Sequence, residues 1–351
     1  MRAYAEAILR ALDNAPSRKV TVFGDFCLDK YLYIDPDKDE LSVETGLTAY
    51  QVVETRNFPG GGGAVASNLR ALGAQVYCVG LLGNDGEGYD LLQALERAGA
   101  DTSGMVRTAE RPTNTYTKPM RRQPDGRWRE MNRLDKRSFA PLPPPPEERL
   151  IENLRLAVSE TMGVVVADQY VERNFAAVTD RVREALAGLA LANPEKFFYA
   201  DSRNFAAEFR NVIIKCNESE LLKAMEPGTD AHDTETILRN GRALQKRGGN
   251  AAVITLGARG ACVFEESGET WLPAFPAEGP LDTVGAGDAT SAGTILGLTL
   301  GLPLPAAALL GACASSITIQ QLGVTGTATA AQVAERLRGG LPKQAMDAAA
   351  E

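Results

Sequence analysis

Short apolar runs recur along the chain and alternate with longer amphipathic stretches. The apolar runs predict buried strands at Lys19–Gly24, Gln75–Leu81, Gly163–Ala167, Lys196–Ala200, Asn211–Lys215 and Ala251–Thr255. The stretches between them have the length and periodicity of helices, at Ala64–Leu72, Tyr89–Ala98, Glu147–Ser159, Glu172–Leu189 and Thr234–Lys246. This alternation predicts an α/β fold with a mostly parallel sheet that is covered on both faces. Such sheets bind ligands at the carboxyl ends of their strands.

Two segments interrupt the alternation and predict a smaller second sheet. Residues 30–58 and 113–133 carry alternating strand patterns that include aromatic residues, and the second segment contains a turn at Gln123–Gly126. We interpret them as antiparallel strands that project from the parallel sheet and form a lid. The alternative is a pair of disordered surface loops. The proline-rich run at 141–146 predicts a stiff connector into the helix that begins near Glu147.

Charge, histidine and cysteine content exclude several classes of function. The 351 residues include 45 acidic and 37 basic side chains, and this net charge of −8 argues against a nucleic-acid-binding surface or an anionic-membrane anchor. His232 is the only histidine, which excludes zinc sites that need two or three histidines. It also excludes a Ser-His-Asp triad unless His232 is the base. The five cysteines form no CxxC pair, which favours a reduced, cytoplasmic protein.

Residues 289–334 contain no charged side chain and therefore need consideration as a membrane segment. Glycines and prolines divide the stretch into pieces that are short for a membrane span, so we interpret it as two buried helices. The N-terminal stretch Met1–Pro16 is amphipathic and lacks the apolar run of a signal peptide. The sequence thus predicts no membrane partner.

The most informative stretch is Asp282-Thr-Val-Gly-Ala-Gly-Asp288, which a run of small residues follows. Gly285 and Gly287 allow a tight turn with uncovered backbone amides, and the next helix points its positive end at the same place. This arrangement predicts an anion-binding site. Asp288 would place a carboxylate beside the anion, which suits a base that accepts a proton from a hydroxyl attacking a phosphoryl group. The structural alternative is a glycine-rich helix start with a capping aspartate.

The same heptapeptide matches the C-terminal signature of the ribokinase-like sugar kinases, also called the phosphofructokinase B family. The sequence resembles this family over nearly its whole length, and further segments fit the family pattern in the family's order: Phe23–Asp29, Pro59–Gly73, Val79–Gly86, Asn217–Glu220 and Thr255–Gly260. The resemblance implies one kinase domain over residues 1–351, with a ribokinase-like three-layer α/β/α fold and a small β lid.

Within the family, the sequence looks most like the bacterial heptose-phosphate kinase branch. This likeness rests on the opening Gly-Asp-x-x-x-Asp pattern, its separation from the glycine run, and Arg133-Leu-Asp135. Full-length bifunctional members of the branch add a nucleotidyltransferase domain with a paired-histidine motif. One histidine cannot supply that motif, so we expect a stand-alone kinase.

The resemblance implies specific roles on the acceptor side of the site. Asp288 matches the family's catalytic base, and the amides of Gly285, Ala286 and Gly287 match those that hold the transferring phosphoryl oxygens. Asp29 matches the carboxylate that accepts hydrogen bonds from sugar hydroxyls. The remaining candidates for substrate binding are a second carboxylate and three glycines that would let the backbone approach the sugar: Asp25, Gly60, Gly61 and Gly62.

The resemblance also implies roles on the nucleotide side. Asn217 and Glu220 match residues that organise Mg²⁺ and its waters around ATP. The alternative for this pair is an ordinary helix start, in which asparagine caps the helix and glutamate stands at the third helical position. Asp282 would lie beside a monovalent cation such as K⁺, as in some relatives. The remaining nucleotide-binding candidates are Thr255, Gly257, Gly260 and Thr283.

One departure from the family pattern leaves the substrate open. Many members carry an asparagine that contacts the sugar where this chain has Val65, or Ala64 in the heptose branch, and Asn68 lies a helical turn too far on to replace it. A phosphate already present on the sugar is a further consideration. The basic residues that would meet it are Lys118, Arg121, Arg122, Arg133 and Arg203.

Together these observations predict an ATP-dependent kinase that phosphorylates a hydroxyl of a sugar or sugar phosphate. The alternatives are a nucleoside or polyol kinase on the same fold, and a catalytically silent relative that binds a sugar or nucleotide. No GxGxxG follows the first strand and no GxxxxGK[ST] is present, so a dehydrogenase and a P-loop protein lose support. Lid strands of this kind often pair between subunits, and an exposed strand edge is a liability, so we expect a homodimer.

Overall fold

A nine-stranded, mostly parallel sheet forms the centre of the structure, a computed structural model that describes residues 1–229 and 232–340. The strands of the described residues are, in chain order, β1 (Lys19–Gly24), β2 (Phe26–Ile34), β3 (Glu40–Leu41), β4 (Thr48–Ala49), β5 (Val52–Gly61), β6 (Gln75–Gly83), β7 (Val106–Thr108), β8 (Thr115–Arg122), β9 (Trp128–Glu130), β10 (Leu134–Lys136), β11 (Gly163–Asp168), β12 (Phe197–Ser202), β13 (Ile213–Asn217), β14 (Ala252–Thr255), β15 (Ala261–Glu265) and β16 (Gly268–Leu272). The order across the central sheet is β16–β15–β14–β13–β12–β11–β1–β6–β7. Strands β15 and β16 run antiparallel at one edge, and all other neighbours are parallel.

Helices cover both faces of this sheet. In chain order they are α1 (Arg2–Leu12), α2 (Gly62–Ala71), α3 (Gly86–Arg97), α4 (Pro144–Glu160), α5 (Asp180–Ala192), α6 (Glu218–Met225), α7 (Thr234–Gly248), α8 (Ala286–Thr299), α9 (Leu304–Thr318) and α10 (Ala330–Arg338). Side chains of alternating strand positions bury into two separate hydrophobic clusters. Val20 and Val22 of β1 belong to the cluster with α1, α2, α3, α8, α9 and α10, whereas Phe23 belongs to the cluster with α4, α5, α6 and α7. The predicted three-layer α/β/α fold is confirmed.

The lid is a second sheet that begins directly after β1, with only Asp25 between β1 and β2. Its order is β10–β8–β2–β5, and β9 also pairs with β8. Strands β2 and β8 are parallel, so the expectation that the lid strands are antiparallel is wrong for this central pair. The chain passes through β5, α2, β6, α3 and β7 before it reaches β8, and such a long crossover permits a parallel pairing. The lid strands lie within 26–61 and 115–136, where 30–58 and 113–133 were expected, so the first segment is longer at both ends and the second begins two residues later and ends three residues later.

Two expected boundaries differ from the structure. The helix predicted at Glu172–Leu189 begins only at Asp180, because Thr179 caps it by accepting a hydrogen bond from the Val182 N–H at 3.2 Å. The preceding segment is irregular and runs beside the carboxyl ends of the strands. Helix α4 begins at Pro144, inside the expected connector, since proline fits the first helical turn, where no N–H partner is needed.

The uncharged stretch forms the closely packed helices α8 and α9. A Cβ atom on Gly293 would lie 2.6 Å from the Cα of Gly311, so glycine at these positions allows the two backbones to approach. Both helices are buried along most of their length, which confirms the prediction. Within residues 1–229 and 232–340, the helices are all too short or too polar to cross a membrane.

Candidate active site

A cleft of about 260 Å³ lies between the lid sheet and the carboxyl ends of the central strands. This is the edge at which a parallel α/β sheet is expected to bind its ligands. Six of the residues predicted for catalysis or sugar binding line the cleft: Asp25, Asp29, Gly60, Gly61, Gly285 and Asp288. Its other lining residues are Phe26, Cys27, Ala64, Asn114, Tyr116, Lys118, Arg133, Gln169, Tyr170, Arg203, Val284 and Thr325.

The glycine loop before α8 exposes backbone amides to the cleft. Gly285 has a φ of 80°, the left-handed region that favours glycine, and no side chain caps the helix that follows. The N–H of Ala286 donates to the carbonyl of Thr283 at 3.2 Å, so this amide already has a partner. The first helical bond runs from Ala289 N–H to Gly285 O. Among the described residues, the N–H groups of Gly285, Gly287 and Asp288 therefore keep their donors for an anion, and the Ala286 amide is the one expected donor that is already occupied.

Asp288 stands in the first turn of α8, where the residue keeps part of its surface open to the cleft while its carboxyl group lies among protein atoms. No side chain or backbone group of the described residues donates a hydrogen bond to its carboxylate. Burial raises the pKa of Asp288 to about 7, and the negative charge of Asp201 acts in the same direction. The positive charges of Lys215 and Arg203 oppose this shift. The carboxylate is thus an unpaired acceptor whose pKa lies near neutral pH, as a general base requires.

A buried ion pair lies beneath the glycine loop. Lys215 Nζ lies 2.7 Å from Asp201 Oδ2, and the two residues are neighbours across the parallel pair of strands β12 and β13. The Ser291 hydroxyl donates to the same Asp201 oxygen at 2.7 Å. A Cβ atom on Gly287 would lie 2.9 Å from Lys215 Nζ, so the ammonium group sits directly against the loop backbone.

Asp29 reaches the cleft from the lid strand β2. Its Oδ1 atom lies 2.9 Å from the Nζ of Lys118 on the neighbouring strand β8, and both side chains are about 12% exposed. A Cβ atom on Gly60 would lie 2.7 Å from Asp29 Oδ2 and 2.6 Å from Cys27 Sγ. Glycine at position 60 therefore gives Asp29 the space to lie against the β5 backbone.

Asp25 lines the same cleft, but its carboxylate is occupied by the protein. It accepts hydrogen bonds from the backbone N–H groups of Gln169, Tyr170 and Ala177, at 2.9, 3.3 and 3.0 Å. Burial raises the pKa of Asp25, although these bonds favour its charged form. These contacts make Asp25 a residue that holds the 169–177 segment at the cleft edge.

The neighbouring glycines also have backbone roles. A Cβ atom on Gly61, whose φ is 58°, would lie 2.5 Å from the carbonyl oxygen of Asp25. Gly62 packs against the Phe26 ring and donates its N–H to the same carbonyl at 2.8 Å. Gly62 does not line the cleft, unlike Gly60 and Gly61.

Asn217 and Glu220 form a capping box at the start of α6. The Asn217 side chain accepts from the Glu220 N–H at 2.9 Å, and Glu220 Oε2 accepts from the Asn217 N–H at 2.7 Å. The other carboxylate oxygen, Oε1, has no partner among the described residues. Within residues 1–229 and 232–340, no group of three or more His, Cys, Asp or Glu side chains is arranged to hold a metal ion. One carboxylate oxygen and an amide fit a magnesium ion that keeps most of its waters.

The other nucleotide candidates lie in loops beside α6. Thr255 ends β14, Gly257 has a φ of 58°, and a Cβ atom on Gly260 would lie 2.0 Å from the carbonyl oxygen of Leu272. Arg259 in this turn forms an ion pair with Glu218, the first residue of α6, and so ties the turn to the capping box.

Asp282 connects two loops near the start of α8. Its Oδ1 atom accepts from the Val284 N–H at 3.1 Å and its Oδ2 atom from the Gly323 N–H at 3.4 Å. Its own N–H donates to the Ile319 carbonyl at 2.8 Å. Thr283, the next residue, is exposed and supplies the carbonyl that receives the Ala286 N–H.

The five basic candidates fall into two groups. Arg121 pairs with Asp39 at 2.5 Å, and Arg122 pairs with Asp35 at 2.5 Å, so both are engaged within the lid and neither lines the cleft. Lys118, Arg133 and Arg203 line the cleft. Lys118 is paired with Asp29 and Arg133 with Asp135. The Arg203 guanidinium is exposed and makes no ion pair with any described residue.

Several lining residues were missed by sequence reasoning. Asn114 and Tyr170 are joined by a hydrogen bond of 2.5 Å from the tyrosine hydroxyl to the asparagine side-chain oxygen. Tyr116 lies two residues further along the lid strand. The rule that ligands bind after strand ends would have pointed to Tyr170, which lies two residues beyond β11, but Asn114 has no local signal.

The departure from the family pattern has a structural counterpart. Ala64 lines the cleft with a methyl group, whereas Val65 is buried in the core. Asn68 is fully buried, and its amide donates to the carbonyls of Ala64 and Gly326 at 3.0 and 3.3 Å. Asn68 thus ties α2 to a C-terminal loop and does not substitute for the missing asparagine. Asn114 is the asparagine that this cleft presents instead.

Comparison with characterised proteins gives relatives at modest identity. A protein of Hyphomonas neptunium named bifunctional protein HldE is 28% identical over 337 residues, which cover 94% of this chain and 65% of the relative. The protein of the same name from Trichlorobacter lovleyi is 29% identical over 328 residues, covering 91% of this chain and 63% of the relative. The chain thus spans just under two thirds of the length of these relatives.

Solved structures share the fold at lower identity. Arabidopsis thaliana ribokinase, complexed with ribose and ATP, has a TM-score of 0.66 at 19% identity over 92% of this chain and 99% of its own. Escherichia coli phosphofructokinase-2, in complex with potassium, has a TM-score of 0.69 at 17% identity over 92% of this chain and 98% of its own. At these identities the likeness establishes the ribokinase-like fold alone.

The sequence profile of the pfkB family of carbohydrate kinases matches residues 17–127 and 177–331. The two matched ranges cover well over half of the chain, and they include β1, the glycine run at the start of α2, the capping box and the glycine loop of α8. The chain belongs to the pfkB family of carbohydrate kinases.

Proposed function

We propose that this protein is an ATP-dependent kinase that transfers the γ-phosphoryl group of ATP to a hydroxyl of a sugar or sugar phosphate. The observation that carries the proposal is the start of α8. There an unpaired carboxylate with a pKa near 7, that of Asp288, stands beside the unpartnered amides of the glycine loop. The same cleft contains Asp29, a carboxylate suited to hold sugar hydroxyls. An acid–base group and an anion site in one cleft support phosphoryl transfer.

In the proposed reaction, the acceptor hydroxyl attacks the γ-phosphorus and its proton passes to the Asp288 carboxylate. A new bond forms between the acceptor oxygen and phosphorus, and the bond from phosphorus to the bridging oxygen breaks, so that ADP leaves with that electron pair. The amides of Gly285, Gly287 and Asp288 would donate to the transferring oxygens. Magnesium, held through water by Asn217 and Glu220, would neutralise phosphate charge when it is bound.

On the acceptor side, the distribution of charge favours a substrate that is itself an anion. Arg203 lines the cleft and has no carboxylate partner among the described residues, whereas the lid arginines Arg121 and Arg122 are neutralised by aspartates outside the cleft. An unpaired guanidinium suits the oxygens of a phosphate group. We therefore propose a sugar phosphate as the acceptor, and a heptose phosphate is the specific candidate that the family branch suggests.

A panel of acceptors tests this proposal. Formation of ADP from ATP and Mg²⁺ should depend on an added acceptor and should be faster with sugar phosphates, heptose phosphates included, than with the parent sugars. Arg203→Met should reduce this preference mainly by raising KM for the phosphorylated acceptor. Equal rates for neutral and phosphorylated sugars would reject the anionic acceptor. ATP binding without turnover on any acceptor would instead favour a silent binding protein.

A further inference from the structure

Lys215 is the one buried lysine that lies against the glycine loop in the described part of the chain, and the motifs did not predict it. It is about 4% exposed, and so is almost completely removed from water. It stands on β13 two residues before Asn217, and its side chain extends beneath the first turn of α8. A buried ammonium group is costly, so a position of this kind suggests a task beyond packing.

Two contacts fix the position of this ammonium group. Asp201 Oδ2 lies 2.7 Å from Nζ, and Ser291 donates to the same oxygen at 2.7 Å, which holds the carboxylate from the opposite side. On the loop side, a Cβ atom on Gly287 would stand only 2.9 Å from Nζ. Any residue larger than glycine at position 287 would displace the ammonium or the loop.

The ammonium group lies between the two halves of the proposed site. Its positive charge acts to lower the pKa of Asp288, the proposed base, and the pKa of Glu220 in the capping box. One of its three N–H bonds is directed at Asp201, and the ammonium group makes no second hydrogen bond to the described residues. At Asp288 the negative charge of Asp201 has a larger effect on the pKa than the positive charge of Lys215. Beside Gly287 the ammonium group is the nearer of the two charges, because a Cβ atom there would lie 2.9 Å from Lys215 Nζ and 4.0 Å from Asp201 Oδ2. Beside Gly287, whose amide is open, the nearer positive charge therefore adds to the partial positive charge of the helix start.

We propose that Lys215, held by Asp201 and Ser291, is a positioning residue that supplies fixed positive charge behind the glycine loop for the γ-phosphoryl group of ATP. This inference rests on the proposed kinase function. A loose phosphoryl transition state spreads negative charge over three oxygens, and a preorganised charge in a water-poor site stabilises it without reorganisation. The same charge favours a nucleotide that carries a γ-phosphate over one that ends at the β-phosphate.

The main test is the double variant Lys215→Met/Asp201→Asn, which removes both charges and leaves no unpaired buried ion. We expect kcat to fall by about 100-fold, the loss typical of one oxyanion donor, with little change in the acceptor KM. We also expect the ratio of ADP to ATP dissociation constants, measured by calorimetry with Mg²⁺, to fall at least about tenfold. The control Lys19→Met/Glu160→Gln removes an ion pair at the amino end of β1 and should change neither quantity.

The nucleotide ratio separates this inference from the proposed function, because it needs no acceptor and no turnover. A folded double variant that keeps the wild-type ratio and kcat contradicts the role of Lys215. A variant that loses thermal stability but keeps the ratio shows a purely structural role and contradicts it equally. If the double variant does not fold, Lys215→Gln, whose amide can still donate to Asp201, is measured in the same way. Absence of acceptor-dependent turnover in the wild-type protein would count against the kinase proposal alone.

Discussion

Asp288 is a carboxylate that burial holds close to its neutral form. Its pKa is raised from 3.8 to about 7, chiefly because the charged form loses water, and the nearby Asp201 adds to the effect. A group with such a pKa changes its protonation within the physiological range. Two measurable consequences follow from this property, one for activity and one for stability.

The first consequence is a pH-dependent rate. If Asp288 must be ionised to accept the hydroxyl proton, kcat/KM should rise with pH along a limb whose apparent pKa is near 7, and level off above it. The measurement is kcat/KM from pH 5 to 9 with saturating ATP and Mg²⁺. A profile that is flat between pH 5.5 and 8 would contradict the assignment of Asp288 as base.

The second consequence concerns folding. Between pH 4 and 7 the folded protein binds a proton at Asp288 that the unfolded chain has already released, so stability from this residue is lost as pH rises through that window. Asp288→Asn removes the titration. The variant should be more stable than wild type at pH 8, by on the order of 1–2 kcal/mol, and similar to it at pH 4. Urea denaturation at the two pH values measures the free energy of unfolding of both proteins. A variant less stable than wild type at pH 8 would show that the ionised Asp288 carboxylate does not destabilise the folded protein.

At the residue scale, the sequence predicted the parts of the site that lie in contiguous motifs. Asp29, Gly60 and Asp288 come together at one cleft as the motifs suggested. Lys215 and Tyr170 were not predicted, because each reaches the site only through packing between strands or loops that are distant in the chain. Asp25 shows the converse case: a predicted sugar ligand whose carboxylate the backbone N–H groups of a loop already occupy.

At the scale of elements, the lid connects substrate binding to the central sheet. Strand β2 carries Asp29 and strand β8 carries Lys118, and these two strands are the parallel pair at the centre of the lid. The position of Asp29 in the cleft therefore depends on a contact between two lid strands.

Removal of this contact should affect the acceptor selectively. Lys118→Met should raise the acceptor KM by about tenfold, because Asp29 loses its oriented partner and the cleft loses a positive charge, while ATP affinity stays unchanged. Arg122→Met is the matched control, since Arg122 pairs with Asp35 outside the cleft. Steady-state kinetics with each substrate varied measures both. An effect on ATP affinity as large as that on the acceptor would contradict this role of the lid.

Most elements could be predicted from the sequence because their apolar periodicity is strong. The predicted strand at Lys19–Gly24 is observed at these residues, whereas the strand expected at Asn211–Lys215 lies at Ile213–Asn217. The helix predicted to begin at Glu172 begins later for a tertiary reason, since the Ala177 N–H donates to the Asp25 carboxylate rather than to a helical carbonyl. The parallel pairing of β2 with β8 could not be predicted from the local sequence pattern either, because it depends on the long connection between the two strands.

In the whole molecule, exposed apolar side chains occur on the small β3–β4 sheet, which the chain forms between lid strands β2 and β5, and on lid strand β10. Leu41, Val43 and Leu47, on and between the short strands β3 and β4, are 73%, 103% and 70% exposed, and Leu134 on β10 is 64% exposed. Apolar side chains concentrated at a projecting sheet are typical of a surface that a partner covers. The expectation of a homodimer through the lid strands stays a prediction.

Sedimentation equilibrium tests this prediction directly. We expect a dimer at micromolar concentration, and a shift toward monomer in Val43→Lys/Leu47→Lys, which places charges in the apolar patch. Glu152→Lys on helix α4, away from the lid, is the control for a change of surface charge and should remain dimeric. A wild-type monomer at micromolar concentration would contradict the prediction.

We propose that one cleft both binds the acceptor and uses Asp288 to transfer a phosphoryl group from ATP. The most direct test of this proposal is kcat of Asp288→Asn on the best acceptor of the panel, measured by ³¹P NMR of the phosphorylated product. Asp13→Asn, at the end of α1, serves as the matched control. We predict that Asp288→Asn lowers kcat by at least about 100-fold while the protein stays folded and binds ATP, and that the control is unchanged. A kcat for Asp288→Asn within a few-fold of wild type would contradict the role of Asp288 as the base.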